Sequence, residues 1–422
     1  MIKEIILSLS MLLTVQYCTY NEDNGAFEEI DDSELTEYNT GLPRIEIKTP
    51  SPVTSKEVWV EGATMKFYDK DGNLVSEHEL SIRGRGNSTW LQEKKPYALK
   101  FTKKASFWGR PKHKRWVLLA NAYDRTMIRY DLAFHIARQT ELEWTPYGDY
   151  VELNLNGKHQ GTYYLCEQIK IDENRVNISE DTGTLLELDQ YYDEVNKFRS
   201  VRANLPYMFK EPDEDELTPE HFNNVNTYIN AIEDLLWDDK RLLSQEYLDH
   251  LDINSFIDYW FVQELSMNLE CNHPRSTYCY LDKGRKLTMG PVWDFDYLTW
   301  CNEWFTTHFE NEDRTRNRAY QFTIRYALYY KRLFLDPYFR KLVQERWEMF
   351  RSKFYDVPRY IEKRRDYLLK TDLVNYPMWP HEMNADDGNL PFLDSIERIE
   401  WYYMKKLRFL DERIRKGDFS QP

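Results

Sequence analysis

The hydrophobic pattern of this chain changes period once, near residue 211, and that change limits the folds open to it. Before it, apolar residues alternate or run in short blocks. Ile45 to Ile47, Val58 to Val60, Met65 to Tyr68, Tyr97 to Phe101 and Trp116 to Ala120 read as strands, with Asp71-Gly72-Asn73 as a turn. The clearest hairpin pairs Val151, Leu153 and Leu155 with a return from Thr162 to Ile169, and Asn156-Gly157 supplies a turn that tolerates positive φ. One helix interrupts this region, capped by Asp124 and repeating Ile128, Leu132 and Ile136. Beyond Glu211 the spacing is helical, with Val225, Tyr228, Ile229, Ile232 and Leu236 on one face. A second helix, capped by Asp252 or Asn254, carries Phe256, Trp260 and Leu265. The last repeats Ile396, Ile399, Tyr403, Leu407 and Ile414. The expectation is an α+β chain of two lobes, β-rich over residues 44–210 and helical over 211–422, with a cleft between them.

The first 43 residues obey neither pattern. Ile5 to Val15 is apolar but too short to span a bilayer, and it follows Lys3, as in a signal peptide over residues 1–18. Cys18 closes it and stands where a lipoprotein cysteine is acylated, which implies export, an outer-membrane or cell-surface location, and a membrane bond by lipid anchor only. Simple secretion and a buried N-terminal segment are the alternatives. Residues 19–43 read as an acidic tether, because positions 21 to 40 hold eight acids and no Lys or Arg. Net charge is −15, which argues against a general nucleic-acid binder. The opposite bias runs from Arg83 to Arg115, where eleven Lys and Arg meet one acid, Glu93, and this implies a polyanion site. Cys166, Cys271, Cys279 and Cys301 make no CxxC pair. A Cys271–Cys279 bridge and four separate buried thiols are both open.

Three motifs carry chemistry. In Arg83-Gly84-Arg85-Gly86-Asn87-Ser88 the glycines allow close backbone approach to a phosphate, and Arg83, Arg85 and Ser88 can bond its oxygens; the bland reading is a structural turn. Ala98-Leu99-Lys100 is similar to the Ala-x-Lys strand whose lysine holds nucleotide phosphates in kinases. Trp293-Asp294-Phe295-Asp296 ends a short hairpin, where Asp294 and Asp296 suit a hard divalent cation; one Asp capping a turn is the alternative. A polar loop broken by Pro274, a hairpin through Lys283-Gly284 and Asp-Phe-Asp follow the kinase succession of catalytic loop, hairpin and metal-binding Asp.

Arg83 to Trp90, Lys95-Pro96-Tyr97, Gly161-Thr162-Tyr163-Tyr164 with Glu167, Leu186-Glu187-Leu188-Asp189 and Pro291 to Asp296 together resemble the spore coat protein H (CotH) kinase family, from about Leu42 to Trp300. The resemblance implies an atypical protein-kinase-like two-lobed fold and ATP- and Mg²⁺- or Mn²⁺-dependent phosphorylation of Ser or Thr on a protein substrate. By the same resemblance Lys100 contacts phosphates, Asp294 binds metal and Glu167 lies near the linker between lobes. One departure stands out. Glu270 occupies the place of the family's catalytic Asp, with Arg275 and Ser276 where a metal-binding Asn is expected. The longer side chain moves its carboxylate by about 1.5 Å, and a misplacement of about 1 Å can cost on the order of a hundredfold in rate. Asn268 and Asn272 are candidate replacements for the missing ligand. The competing function is a catalytically degenerate module that binds a surface ligand, adhesin-like or, given 13 Trp and 31 Tyr, glycan-binding.

Overall fold

The computed structural model describes residues 40–301, 317–380 and 390–420, and the backbone alone of residues 18–21 and 26–29. The signal-peptide expectation, including the side chain of Cys18, therefore lies outside the described residues. Within the stretch read as a tether, β1 (Cys18–Asn21) pairs antiparallel with β2 (Ala26–Glu29).

The next segments are β3 (Arg44–Lys48), β4 (Val60–Tyr68), β5 (Leu74–Gly84), the single turn α1 (Ser88–Leu91), β6 (Tyr97–Ala105) and β7 (His113–Leu119). They are followed by α2 (Arg129–Ala137), β8 (Gly148–Leu155) and β9 (Lys158–Glu167). The strands close a barrel in the order β3-β4-β5-β6-β7-β9-β8. Closure comes from a parallel pairing of β3 with β8, in which Ile45 faces Leu153. Ile45, Ile47, Met65, Leu80, Ile82, Leu99, Phe101, Trp116, Leu118 and Val151 fill the interior. The walls differ. On β4 and β5 the outward residues Thr64, Lys66, Glu77 and Glu79 are exposed, giving alternation, while on β7 and β9 the outward Val117, Leu119, Tyr164 and Cys166 join a second core. Burial on both faces explains why Val117 to Ala120 and Thr162 to Cys166 read as unbroken apolar runs.

The second core fills the rest of the chain. Its sheet runs β11 (Lys197–Arg199), β12 (Pro206–Glu211), β10 (Thr184–Leu188), β13 (Thr277–Leu281), β14 (Thr288–Met289). Because β10 and β12 precede residue 211 and β13 follows it, this sheet crosses the boundary expected at 210/211. The helices are α3 (Pro219–Leu236), α4 (Asp239–Leu243), α5 (Ile253–Leu265), α6 (Tyr330–Leu333), α7 (Pro337–Tyr355), α8 (Val357–Met378) and α9 (Phe392–Arg415). Starts follow local chemistry: Thr218 accepts the His221 N–H ahead of Pro219, and Asp336 accepts the Tyr338 N–H ahead of Pro337. The return strand of the hairpin through Lys283-Gly284 is only the two-residue β14, since Gly290-Pro291 follows and proline has no N–H for a ladder. The protein is thus mixed α+β, β-rich in its N-terminal region and helical in its C-terminal part. Cys166, Cys271, Cys279 and Cys301 are all buried, Cys271 and Cys279 as separate thiols rather than a bridge, and no described helix is long and apolar enough to cross a membrane.

The barrel is joined to α8 at one tight point. Gly161 has φ of +80°, and a Cβ there would lie 2.4 Å from Asn375 Oδ1. That oxygen also accepts from the Thr162 N–H at 3.2 Å and from the fully buried Lys94 Nζ at 3.0 Å. Gly161→Ala should lower unfolding free energy by about 1–3 kcal/mol from backbone strain, with loss of the Lys94 anchor in addition. Urea denaturation checks it, and an unchanged midpoint would contradict this seating of α8.

Candidate functional site

The second core brings Glu270, Asp294 and Arg85 together from three separate segments. Glu270 begins a 3₁₀ turn, Glu270–Asn272, in the loop between α5 and β13. Its N–H donates to Asn268 Oδ1 at 3.0 Å, while Asn268 Nδ2 donates to the Asp294 carbonyl oxygen at 3.0 Å. One buried amide therefore clamps the two acidic loops together. Asp294 takes φ of +68°, a left-handed conformation that Asp tolerates better than most residues. Its Oδ1 accepts from the Tyr130 hydroxyl at 3.1 Å. Arg85 approaches from the barrel side, its guanidinium 5.3 Å from the centre of the Trp293 ring.

Burial and like charge set the electrostatics. Burial and then the charge of Asp294 push the Glu270 carboxyl up to about 7, with Asp189 adding and Arg275, 3.9 Å away, opposing. Asp294 is raised as well, by burial, against hydrogen bonds from Tyr130 and Ser276 and the charges of Arg85 and Arg275. Asp189, just past the end of β10, is pushed up to about 6, mainly by burial, although the Tyr191 and Ser276 N–H groups donate to it at 2.8 and 3.2 Å. Beside it the buried Glu187 pairs with Lys210 at 3.2 Å, and its charge, after burial, raises the pKa of the Tyr278 hydroxyl.

The other expected site residues lie around this group or apart from it. Asp296 is buried two residues beyond Asp294 and acts electrostatically on Tyr130. Glu167 ends β9, buried, with Arg110 at 3.8 Å and the Tyr147 N–H at 3.0 Å, and burial raises its pKa against the charge of Arg175. Ser88 is exposed at the start of α1. The two glycines before it have packing reasons: a Cβ on Gly84 would sit 2.3 Å from the Trp90 ring, and Gly86 has φ of +80°. Lys100 is exposed on the barrel wall opposite Ser81 and Arg115, four residues back along β5 from Arg85, or roughly 13 Å at 3.3 Å per residue. Arg83 and Arg115 lie near it, 4.7 and 5.2 Å from the Trp59 ring centre, and the buried Arg83 Nε has no hydrogen-bond partner. The basic stretch thus divides into Arg85 at the acidic group and Arg83, Lys100 and Arg115 on the outer wall. Of the candidate replacement ligands, Asn268 is committed to its clamp and Asn272 Nδ2 donates to Thr323 O. A groove of about 490 Å³ lined by Thr64, Lys66, Glu77, Glu79 and Lys103 opens on the wall of β4 to β6 and contains none of these residues.

Sequence reasoning assigned no role to Tyr130 or Asp189. Acids at positions 187 and 189 of an apolar strand share one face, a signal legible in Leu186-Glu187-Leu188-Asp189. Tyr130 left no such signal. Against known proteins, the profile described as CotH kinase protein matches residues 82–370, most of the chain. The chain belongs to the CotH kinase family. Among curated proteins, no sequence matches it. The acidic group of this CotH kinase family member falls inside the matched segment, as do Arg83, Arg85, Lys100 and Glu167.

A pH-dependent stability follows. A carboxyl whose folded pKa is raised holds its proton more tightly in the native state, so its contribution is favourable below the unfolded value and is lost as pH rises through the folded one. For Glu270 the window runs from the model-peptide value of 4.5 to about 7. Glu270→Gln should therefore gain stability relative to the wild type as pH climbs through that window, measured by thermal unfolding at stepped pH. A constant difference from pH 4 to 8 would contradict the burial of Glu270 beside Asp294.

Proposed function

We propose that this CotH kinase family protein is an atypical, ATP- and metal-dependent kinase-like protein that phosphorylates Ser or Thr hydroxyls on a protein substrate. In this reading the barrel and the helical part stand as the two lobes of an atypical kinase-like fold. The observation that carries it is the pairing of Glu270 with Asp294, clamped by Asn268, beneath an arginine from the Gly-rich turn. Among the described residues no three His, Cys, Asp or Glu side chains form a ready cation cage. Mg²⁺ is commonly held by one or two carboxylates, with phosphate oxygens and water completing its shell. Two neighbouring carboxyls raised by burial and, at Glu270, by mutual repulsion fit such a cation. Asp294 would hold it, backed by Asp296, and when bound it would neutralise charge on the phosphate oxygens.

The chain's own groups then divide the work. Arg85 offers N–H donors to phosphate. Glu270, poised near neutrality, accepts the acceptor hydroxyl's proton as that oxygen bonds to the γ-phosphorus and the bond to the departing ADP oxygen breaks. The degenerate, ligand-binding alternative is favoured by one observation, the position of Lys100 on the exposed wall, without an ion pair among the described residues and apart from Asp294.

Calorimetry with ATP and Mg²⁺ should show binding that weakens at least tenfold in Asp294→Ala. Glu270→Gln should cut phosphoryl transfer by about 10²–10⁴-fold, the usual worth of general-base catalysis, while ATP affinity stays within about twofold. No binding at millimolar nucleotide, or a large gain of transfer in Glu270→Asp, would overturn the working-kinase reading in favour of the degenerate module. We also propose export with a lipid on Cys18. Cys18→Ser should move the protein from the membrane to the soluble fraction, and an unmodified Cys18 in the native protein would refute the anchor.

A further inference from the structure

Helix α2 is buried on every side, including the charged Arg129 and Asp131. Buried charge is tolerated only with partners, and the partners of this segment lie mostly on α8. Asp131 meets Arg364 at 2.6 Å and accepts the Tyr360 hydroxyl at 2.9 Å. Just before α2, Arg125 makes a two-pronged contact with Asp372 at 2.9 and 2.8 Å, its guanidinium 3.7 Å from the Tyr376 ring centre. The pairs run in opposite chain directions. Arg364 and Asp372 are eight residues apart, about 12 Å along a helix, so α2 and its lead-in are bolted to α8 at two separated points. From the far face of α2, Tyr130 reaches Asp294 at 3.1 Å, its ring packed on Phe134 and Trp293 at 5.8 Å each.

We infer that Tyr130 is a positioning residue for Asp294, and that α8, by fixing α2 through Asp131–Arg364 and Arg125–Asp372, sets the orientation of the Asp294 carboxylate. This rests on the reading of Asp294 as a cation ligand. The hydroxyl occupies one lone pair of Oδ1 and pins the rotamer, while the charges of Arg85 and Glu270 act on the same carboxylate. A hydrogen bond to a charged acceptor is stronger than one between neutral groups, so its loss should be visible in affinity. Helix α8 would thereby act on the acidic group through α2.

The test is calorimetric titration of the full chain with MgCl₂ and with MnCl₂, alongside thermal unfolding in EDTA. Tyr130→Phe keeps the ring packing but removes one donor to Asp294, so in EDTA it should unfold at a somewhat lower temperature, while at 25 °C, where both proteins remain fully folded, cation affinity falls about tenfold. Arg364→Lys, which retains charge but cannot meet Asp131 and Asp149 at once as the guanidinium does at 2.6 and 2.7 Å, should lower both stability and affinity. Equal cation affinity in wild type and Tyr130→Phe would overturn the inference alone. Absence of cation binding by the wild type would overturn the reading of Asp294 beneath it. A weakened affinity in Tyr130→Phe that appears only at temperatures where part of the variant is unfolded would assign the tyrosine a purely structural role and reject the inference.

Discussion

Two half-buried carboxyls close enough to act on each other's charge are the constraint around which this protein is organised. Glu270 and Asp294 come from different loops, and each would lower its own energy by moving into solvent or away from the other. They stay because Asn268 spends its amide on both loops, Tyr130 donates to Asp294, and Arg85 lies on Trp293. A local arrangement that is unfavourable by itself persists where the surroundings over-determine it, and such places are enriched at functional sites.

Those surroundings are supplied by two cores sharing one wall. The strands β7 and β9 bury inward residues in the barrel and outward residues, Val117, Leu119, Tyr164 and Cys166, in the second core. Arg85 sits just past the end of β5, so barrel and acidic loops meet without a flexible linker between them. Helix α2 fills the seam and transmits the position of α8 to Asp294. Ion pairs inside this seam are costly to desolvate, yet each member has a close partner, as in Arg129–Asp124 at 3.2 Å and Arg346–Asp258 at 2.7 Å.

Local features were legible in the sequence. Asn156-Gly157 marks the β8–β9 turn, with φ of +54° and +79°, and the apolar face of Val225, Ile229, Ile232 and Leu236 is the buried face of α3. Long-range pairings were not. Closure of the barrel by β3 on β8 joins residues about a hundred positions apart, and nothing within either strand encodes it. The strands β10 to β12 went unassigned, so the sheet shared across residue 211 could not be seen. The helices α7 and α8 were hidden for another reason. They bury Arg346 and Arg364 among partners from distant segments, which blurs an apolar stripe. At the site, the acidic motif and the Gly-rich turn were visible, and their meeting was an expectation from kinase-like order. That Lys100 and Arg85 occupy different places depends on where β5 ends, which composition does not fix. The richness in Trp and Tyr is largely core: Trp116, Trp260, Trp300 and Trp347 are all fully buried.

The central claim, that Glu270, Asp294 and Arg85 form one phosphate-and-cation site between barrel and helical part, is tested most directly by crystallography with Mn²⁺ and a non-hydrolysable ATP analogue. Anomalous scattering should place a manganese ion in direct contact with an Asp294 carboxylate oxygen, with the terminal phosphate between Arg85 and Glu270. A nucleotide bound elsewhere on the surface, or manganese that never contacts Asp294 at saturating concentration, would contradict it.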